Sequence, residues 1–434
     1  MKKRLFACLL SVLVLCAAIP ALADVIEVTI PHYKSGQNVG AIFFLPQVER
    51  FNVKYEGKYK LIIEELTQDL YSDKMQQLGI QGKLPALVEG GTLEWLEDVV
   101  IPNKLYRDLT PFLAANPEVD NQIPGYQREY NIKDDGTFVS VSYNVVRPIG
   151  MYYNSAMTAF DKEPGEYASW ADLLADFGDN KIALMTGENA WTTSLIFSSL
   201  IAAEEGGVEL LMEHLYANNR LVDYTHPIVV NALTKLKALY DGYASANAIG
   251  AVYADAANTF MSGGAAIIAN GTWMVGDFVP GAEDKWTNGF NGANAKGASF
   301  PGNIAIQAER GSYGWWIPST VSEEEAELAE AFLAHMLSKE EIEMYCFQEG
   351  GNPQMWTLSD EYWAKLSEVN PIMTTYMKAI TPDTTFTPNF IDVIPSSVAN
   401  VGFGSLLPQL FDGTYTPEQF AEQLGIMAVQ AVED

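Results

Sequence analysis

An α/β fold in two domains is predicted by three features of the chain: segments of strand period and helix period alternate along it, its length exceeds one ordinary core, and a short buried apolar run ends in a glycine turn that presents a tryptophan.

Lys2, Lys3 and Arg4 precede an apolar run from Leu5 to Ile19, and Ala21-Leu22-Ala23 follows before Asp24. A basic start, a short apolar stretch and an Ala-x-Ala site predict an export signal over 1–23, cut after Ala23. The run falls short of the roughly 20 apolar residues that cross a bilayer. Leu15 stands before Cys16, where lipoprotein processing takes a small residue, so a free exported protein is expected. Cleavage leaves 411 of the 434 residues, enough for two cores. Cys8 and Cys16 leave with the signal, so Cys346 is alone and no intrachain disulfide is expected. The signal carries three basic residues and no acidic one, so the net charge of −29 becomes −32, which opposes nucleic acid and anionic membrane surfaces. The carboxylates are scattered and form no tail, the pattern of a solvated surface.

Val25 to Ile30 alternates as a strand does, Val39 to Phe51 is apolar at helical spacing, and Lys60 to Glu64 repeats the strand signal. Strand, helix, strand implies a parallel sheet with a crossover helix. Ser169 caps a helix with Trp170, Leu173, Leu174 and Phe177 on one face and Gly178 as its stop. Pro227 to Tyr240 is a second amphipathic helix, stopped by Gly242, and Ser322 with Glu325 forms a capping box ahead of Ala329, Phe332, Leu333, Met336 and Leu337. From Phe260 to Phe278 the order is helix end, glycine turn, buried strand, and a turn led by Gly271 that presents Trp273 at the strand's C-terminal edge. Open α/β sheets bind ligands at such edges.

The turn, strand and Gly-x-Trp from Ser262 to Trp273 resemble the extracellular solute-binding family 1, the sugar-capturing subunits of ABC importers. Further segments agree in order: Tyr152-Tyr153-Asn154, Pro164, the helix start Ser169 to Leu173, the strand and loop Lys181 to Trp191, the helix from Ser322, and Gly350-Gly351-Asn352-Pro353. The chain departs from the family at Pro85-Ala86, where relatives commonly have Pro-Asp. The resemblance implies a periplasmic-binding-protein-like type II fold, two α/β lobes with a ligand cleft between them. Lobe 1 is expected over 24–147 with about 300–348, and lobe 2 over 148–299 with about 349–434. The crossings fall near 146–149 and 300–317, and closure about them is a hinge motion.

Matching positions imply a ligand set of Tyr33, Asn38, Glu89, Arg147, Glu188, Asn189, Trp191, Trp273, Tyr313, Trp315, Asn400 and Phe403. In this scheme Trp191, Trp273 and Trp315 stack on a sugar ring, and Arg147, the glutamates and the asparagines bond hydroxyls, because a sugar offers apolar C–H faces and polar rims. Several have a second reading. Trp191 also suits a helix core, Arg147 an ion pair across the hinge, and Tyr33 support of its own turn. Trp315 and Trp316 alternate on a strand, so only one faces the cleft.

No catalytic or metal constellation stands out. His32, His214, His226 and His335 are far apart, and neither a phosphate loop nor a nucleophile elbow occurs. The expected protein is a periplasmic or extracellular monomer, with no cofactor, a small polar ligand that is a mono- or oligosaccharide, and an ABC permease as its membrane partner. Two alternatives stay open: the same clamp holding a polyamine, peptide or phosphate ester, and a secreted glycoside hydrolase. Fifty-five acidic residues guarantee some carboxylate pair, so they do not decide for the hydrolase.

Overall fold

The opening alternation folds as a strand–helix–strand unit. In the computed structural model, which describes residues 25–36, 40–215, 219–307, 311–381 and 383–433, strands Ile26–His32 and Tyr59–Glu65 pair in parallel with Ile26 opposite Tyr59. The expected export signal and Asn38 lie outside the described residues. Helix Ala41–Lys54 connects the two strands and buries Phe43, Phe44, Val48 and Phe51. Those side chains meet Trp315, Phe332, Leu333 and Met336 in a first core, which also takes Leu109, Phe138 and Leu358. Asn52 ties the helix to the second strand, accepting from the Leu61 N–H and donating to the Leu61 carbonyl at 2.8 Å each.

A second body is built on a four-stranded sheet in the order Ile182–Ala183, Ile267–Asn270, Gly150–Asn154, Ala295–Ala298. The first two strands are parallel, but Gly150–Asn154 runs antiparallel to both of its neighbours. The sheet is therefore mixed, whereas the opening unit implies parallel pairing. Gly150–Asn154 is fed directly by a segment arriving from the first body and not by a crossover helix, so nothing forces it parallel.

Helix Trp191–Ala202 lies in the middle of the second core, with Thr192 through Ile201 all buried. A helix buried on every side must satisfy its polar groups internally. Ser194, Ser198 and Ser199 donate to the carbonyls of Trp191, Ser194 and Ile196 at 2.7 Å, and the Thr193 hydroxyl donates to the Met185 carbonyl. Around this helix pack Met151, Trp170, Phe300, Ile306, Phe403 and Leu424.

The predicted caps form. Ser169 accepts from the Asp172 N–H, and Ser322 and Glu325 make both arms of their capping box. Two helix ends differ from expectation. Helix Trp170–Ala175 stops before Phe177, and helix Pro227–Tyr243 runs through Gly242, which a last turn tolerates at small cost. Between the bodies, Val145–Val146 pairs antiparallel with Asn352–Pro353. That pairing needs glycine at 350 and 351: both have positive φ, and a Cβ would sit 2.5 Å from Thr272 at the first and 2.5 Å from Val145 at the second. Among the described residues no helix is long and apolar enough to cross a membrane.

Candidate functional site

The first wall of the site forms where strand Ile26–His32 ends. The short strand Val88–Glu89 pairs antiparallel with Trp315–Trp316, which sets Glu89 opposite Trp315. The buried His32 ring stacks on Tyr33 at 4.7 Å and on Trp315 at 5.0 Å. The Lys34 N–H donates to His32 Nδ1 at 3.0 Å, so the ring proton resides on Nε2, which faces Glu89 Oε2 at 2.9 Å. Lys34 Nζ donates to Glu89 Oε1 at 2.7 Å. Burial alone would raise the Glu89 pKa, but Lys34 and His32 outweigh it and hold the carboxyl down to about 2. Burial lowers the His32 pKa against the pull of Glu89, and burial followed by the Glu89 charge raises Tyr33.

Arg147 comes from the segment that joins the bodies. Its guanidinium lies over the rings of Trp273 at 5.1 Å and Tyr345 at 5.2 Å, with Nη1 3.6 Å from Glu349 Oε2. Burial pushes the Glu349 carboxyl up, and the charges of Arg147 and Lys34 pull it back. Tyr345 stacks on Tyr143 at 4.4 Å, and the Tyr143 hydroxyl donates to Gln47 at 2.8 Å. Lys34 Nζ lies 6.0 Å from the same Tyr143 ring, so the lysine–glutamate and arginine–glutamate pairs are joined by a line of phenol rings.

The second wall is the edge of the four-stranded sheet. Strand Ile267–Asn270 gives way to Gly271 and then Trp273, whose indole folds back over the glycine: a Cβ there would lie 2.3 Å from the ring. Trp273 meets Trp191 at 5.5 Å, and Trp191 meets Tyr253 at 6.0 Å. All three aromatics are half-buried. Asn270 shares hydrogen bonds with the Tyr253 hydroxyl, and Glu188 accepts from the Tyr253 N–H at 3.1 Å. Glu188 and Ala190 hold φ of 52° and 51°, so the loop before Trp191 is kept in the left-handed region by its bonds to 250–253.

The structure thus brings together Tyr33, Glu89, Arg147, Trp191 and Trp273. The rest fare differently. Trp315 is 1% exposed with Phe44 stacked on it at 5.5 Å beside His32, so it backs the site and offers no face to a guest. Phe403 is fully buried against Phe197 and Phe390, because helix Phe403–Phe411 turns it into the second core. Neither ring shows a free face in this structure, against the expectation that both line the cleft. Tyr313, half-buried, accepts from Lys133 Nζ at 3.0 Å and packs on Tyr130 at 4.7 Å, and it shares with Tyr33 the cluster around Trp316. Glu188 is exposed and engaged with Tyr253, Asn189 is half-buried beside it, and Asn400 is exposed on the turn before Phe403. Sequence reasoning missed His32, Lys34, Tyr143, Tyr253, Tyr345 and Glu349. His32 and Lys34 carried a signal, as the two neighbours of Tyr33; the others come from distant segments. Among the described residues no group of three His, Cys, Asp or Glu could hold a metal ion.

The family profile described as "Bacterial extracellular solute-binding protein" matches residues 47–367, and the chain belongs to that family. Among curated protein sequences none matches. Solved structures similar to it include a chitin oligosaccharide binding protein (TM-score 0.73, 19% identity, 95% of this chain and 100% of that one). A solute-binding protein of Streptococcus pneumoniae, in complex with the blood group A-trisaccharide, superposes with TM-score 0.68 at 19% identity over 93% of this chain and 99% of its own. The maltose/maltodextrin-binding domain of Bdellovibrio bacteriovorus, bound to maltotriose, gives 0.63 at 16% over 94% and 100%. The fold is the two-lobed α/β arrangement of type II periplasmic binding proteins.

Proposed function

We propose that this protein captures an uncharged sugar, a mono- or oligosaccharide, between its two lobes and delivers it to an ABC-type importer. One observation carries the reading: half-buried indole and phenol faces of Trp191, Trp273 and Tyr253 stand across from charges that cancel, Lys34 and Arg147 against Glu89 and Glu349. Flat apolar faces suit sugar C–H surfaces, and paired charges supply donors and acceptors without a net field. A polyamine calls for surplus carboxylate and a phosphate ester for surplus cation, and neither surplus is present in this set. The sugar ligands named for the structural neighbours support the same reading.

The lobe division we propose follows the core packing. It keeps 25–147 with 315–358 in lobe 1 and 148–306 with 359–433 in lobe 2, which shifts 300–306 and 349–358 from the sequence-based division. Phe300 and Ile306 belong to the second core, while Ile317 and Leu358 belong to the first. Export to the periplasm or cell exterior, a monomeric state, docking on a permease and the absence of any reaction belong to the same proposal.

Thermal-shift and calorimetric titration with chitotriose, maltotriose, raffinose, spermidine and glucose 6-phosphate tests it. A ligand at 100 times its dissociation constant stabilises by about 2.7 kcal/mol. Saturable binding of a sugar with no product released is expected. Binding of spermidine or the phosphate ester alone, or hydrolysis of a sugar, overturns it.

A further inference from the structure

A second contact between the two bodies involves none of the residues discussed so far. Glu94 sits in the turn Leu93–Trp95, anchored to the first body because Thr92 accepts from the Trp95 N–H and Trp95 is buried with Tyr71, Met75 and Trp316. Its carboxylate reaches the second body. Oε2 accepts a short hydrogen bond from the Ser396 hydroxyl, and Oε1, shut off from solvent, lies 3.7 Å from Arg220 Nε. The Arg220 side chain is 9% exposed and is held in place from its own side, where Nη1 donates to the Asp392 carbonyl at 2.5 Å and the Leu215 carbonyl at 3.4 Å. Leu221 and Ile394, neighbours of Arg220 and Ser396, belong to the second core, and the Leu221 N–H donates to the Val393 carbonyl at 2.9 Å. The arginine and serine therefore form a ready socket on one body, and Glu94 is the part that crosses to it.

We infer that Glu94, Arg220 and Ser396 form a closing latch that tunes ligand affinity by stabilising the closed lobes without itself needing to touch the ligand. A contact present only when the bodies meet adds its free energy to the closed form alone. Apparent affinity follows the closed fraction, so the latch residues are positioning residues for binding. The pair is sheltered but not deeply buried, and loss of one charge-assisted hydrogen bond of this kind shifts the closed-to-open ratio by about tenfold.

The inference rests on the two-body fold and not on the sugar reading, so its test uses no ligand. Fluorophores at Glu56→Cys and Asp241→Cys, exposed residues on opposite bodies, report the interlobe distance by single-molecule energy transfer, with the buried Cys346 left in place. Glu94→Gln and Ser396→Ala should each move the ligand-free distribution toward open by about tenfold, with an unchanged circular dichroism spectrum. The two changes together should move it little further than either alone. Ser396→Ala removes a single hydroxyl, so it carries the test if the Glu94 variant folds poorly. A lowered melting temperature with the distance distribution unmoved would make the contact merely structural and overturn the latch.

Discussion

Glu89→Gln is the perturbation whose size the structure sets most directly. The carboxylate is 18% exposed and tied to Lys34 at 2.7 Å and His32 at 2.9 Å, which hold its pKa near 2 against an ordinary 4.5. At ~1.4 kcal/mol per tenfold change, that depression is worth about 3 kcal/mol of folding stability. Because the folded-state pKa is the lower one, the contribution is complete above pH 4.5 and is lost as the pH falls toward 2. His32 acts in the same direction: its folded pKa lies below 6.5, so the unfolded chain takes up that proton first and stability drops as pH falls below 6.5. Urea unfolding of the wild type and Glu89→Gln at stepped pH measures the difference. It should be about 3 kcal/mol at pH 7 and shrink between pH 4.5 and 2. A difference that stays flat from pH 7 to pH 3 refutes the ion-pair account of this wall.

Three further outcomes are expected. Trp273→Ala should weaken binding of the recognised sugar by about 30-fold in calorimetry, the scale of a buried aromatic anchor, with little change in melting temperature. Gly271→Ala places a Cβ 2.3 Å from the Trp273 ring, so the indole must move; affinity should fall with the Trp273→Ala value as its limit, read in the same titration. Phe403→Ala should cost about 3–5 kcal/mol in urea unfolding and leave the dissociation constant unchanged where the protein is folded, as a core residue and not a ligand contact requires.

Much of the architecture is legible in local pattern. The two opening strands and their helix, the Ser322 capping box and the strand, glycine and tryptophan series from Ile267 to Trp273 all form where the sequence puts them, because each depends on residues within a turn or two. The direction of strand Gly150–Asn154 is less legible: its own residues fit either orientation, and its antiparallel neighbours come from 267–270 and 295–298. The site divides in the same way. The place of Trp273 just past a strand edge is legible because the glycine turn that carries it is local, whereas the burial of Phe403 and Trp315 is not, because the helix and rings that cover them come from distant positions.

By itself the sequence determined an acidic chain, an α/β order of elements, and the family whose motifs it carries in order. Only the tertiary structure decided that Lys34, Glu89, Tyr143, Arg147, Tyr345 and Glu349 share one site, and that Glu94 reaches Arg220 and Ser396. The reason is range. Periodicity, capping and turn chemistry act over a few residues, while the Lys34–Glu89 pair joins positions 55 residues apart and the Glu94–Ser396 hydrogen bond positions 302 apart, which no local pattern encodes.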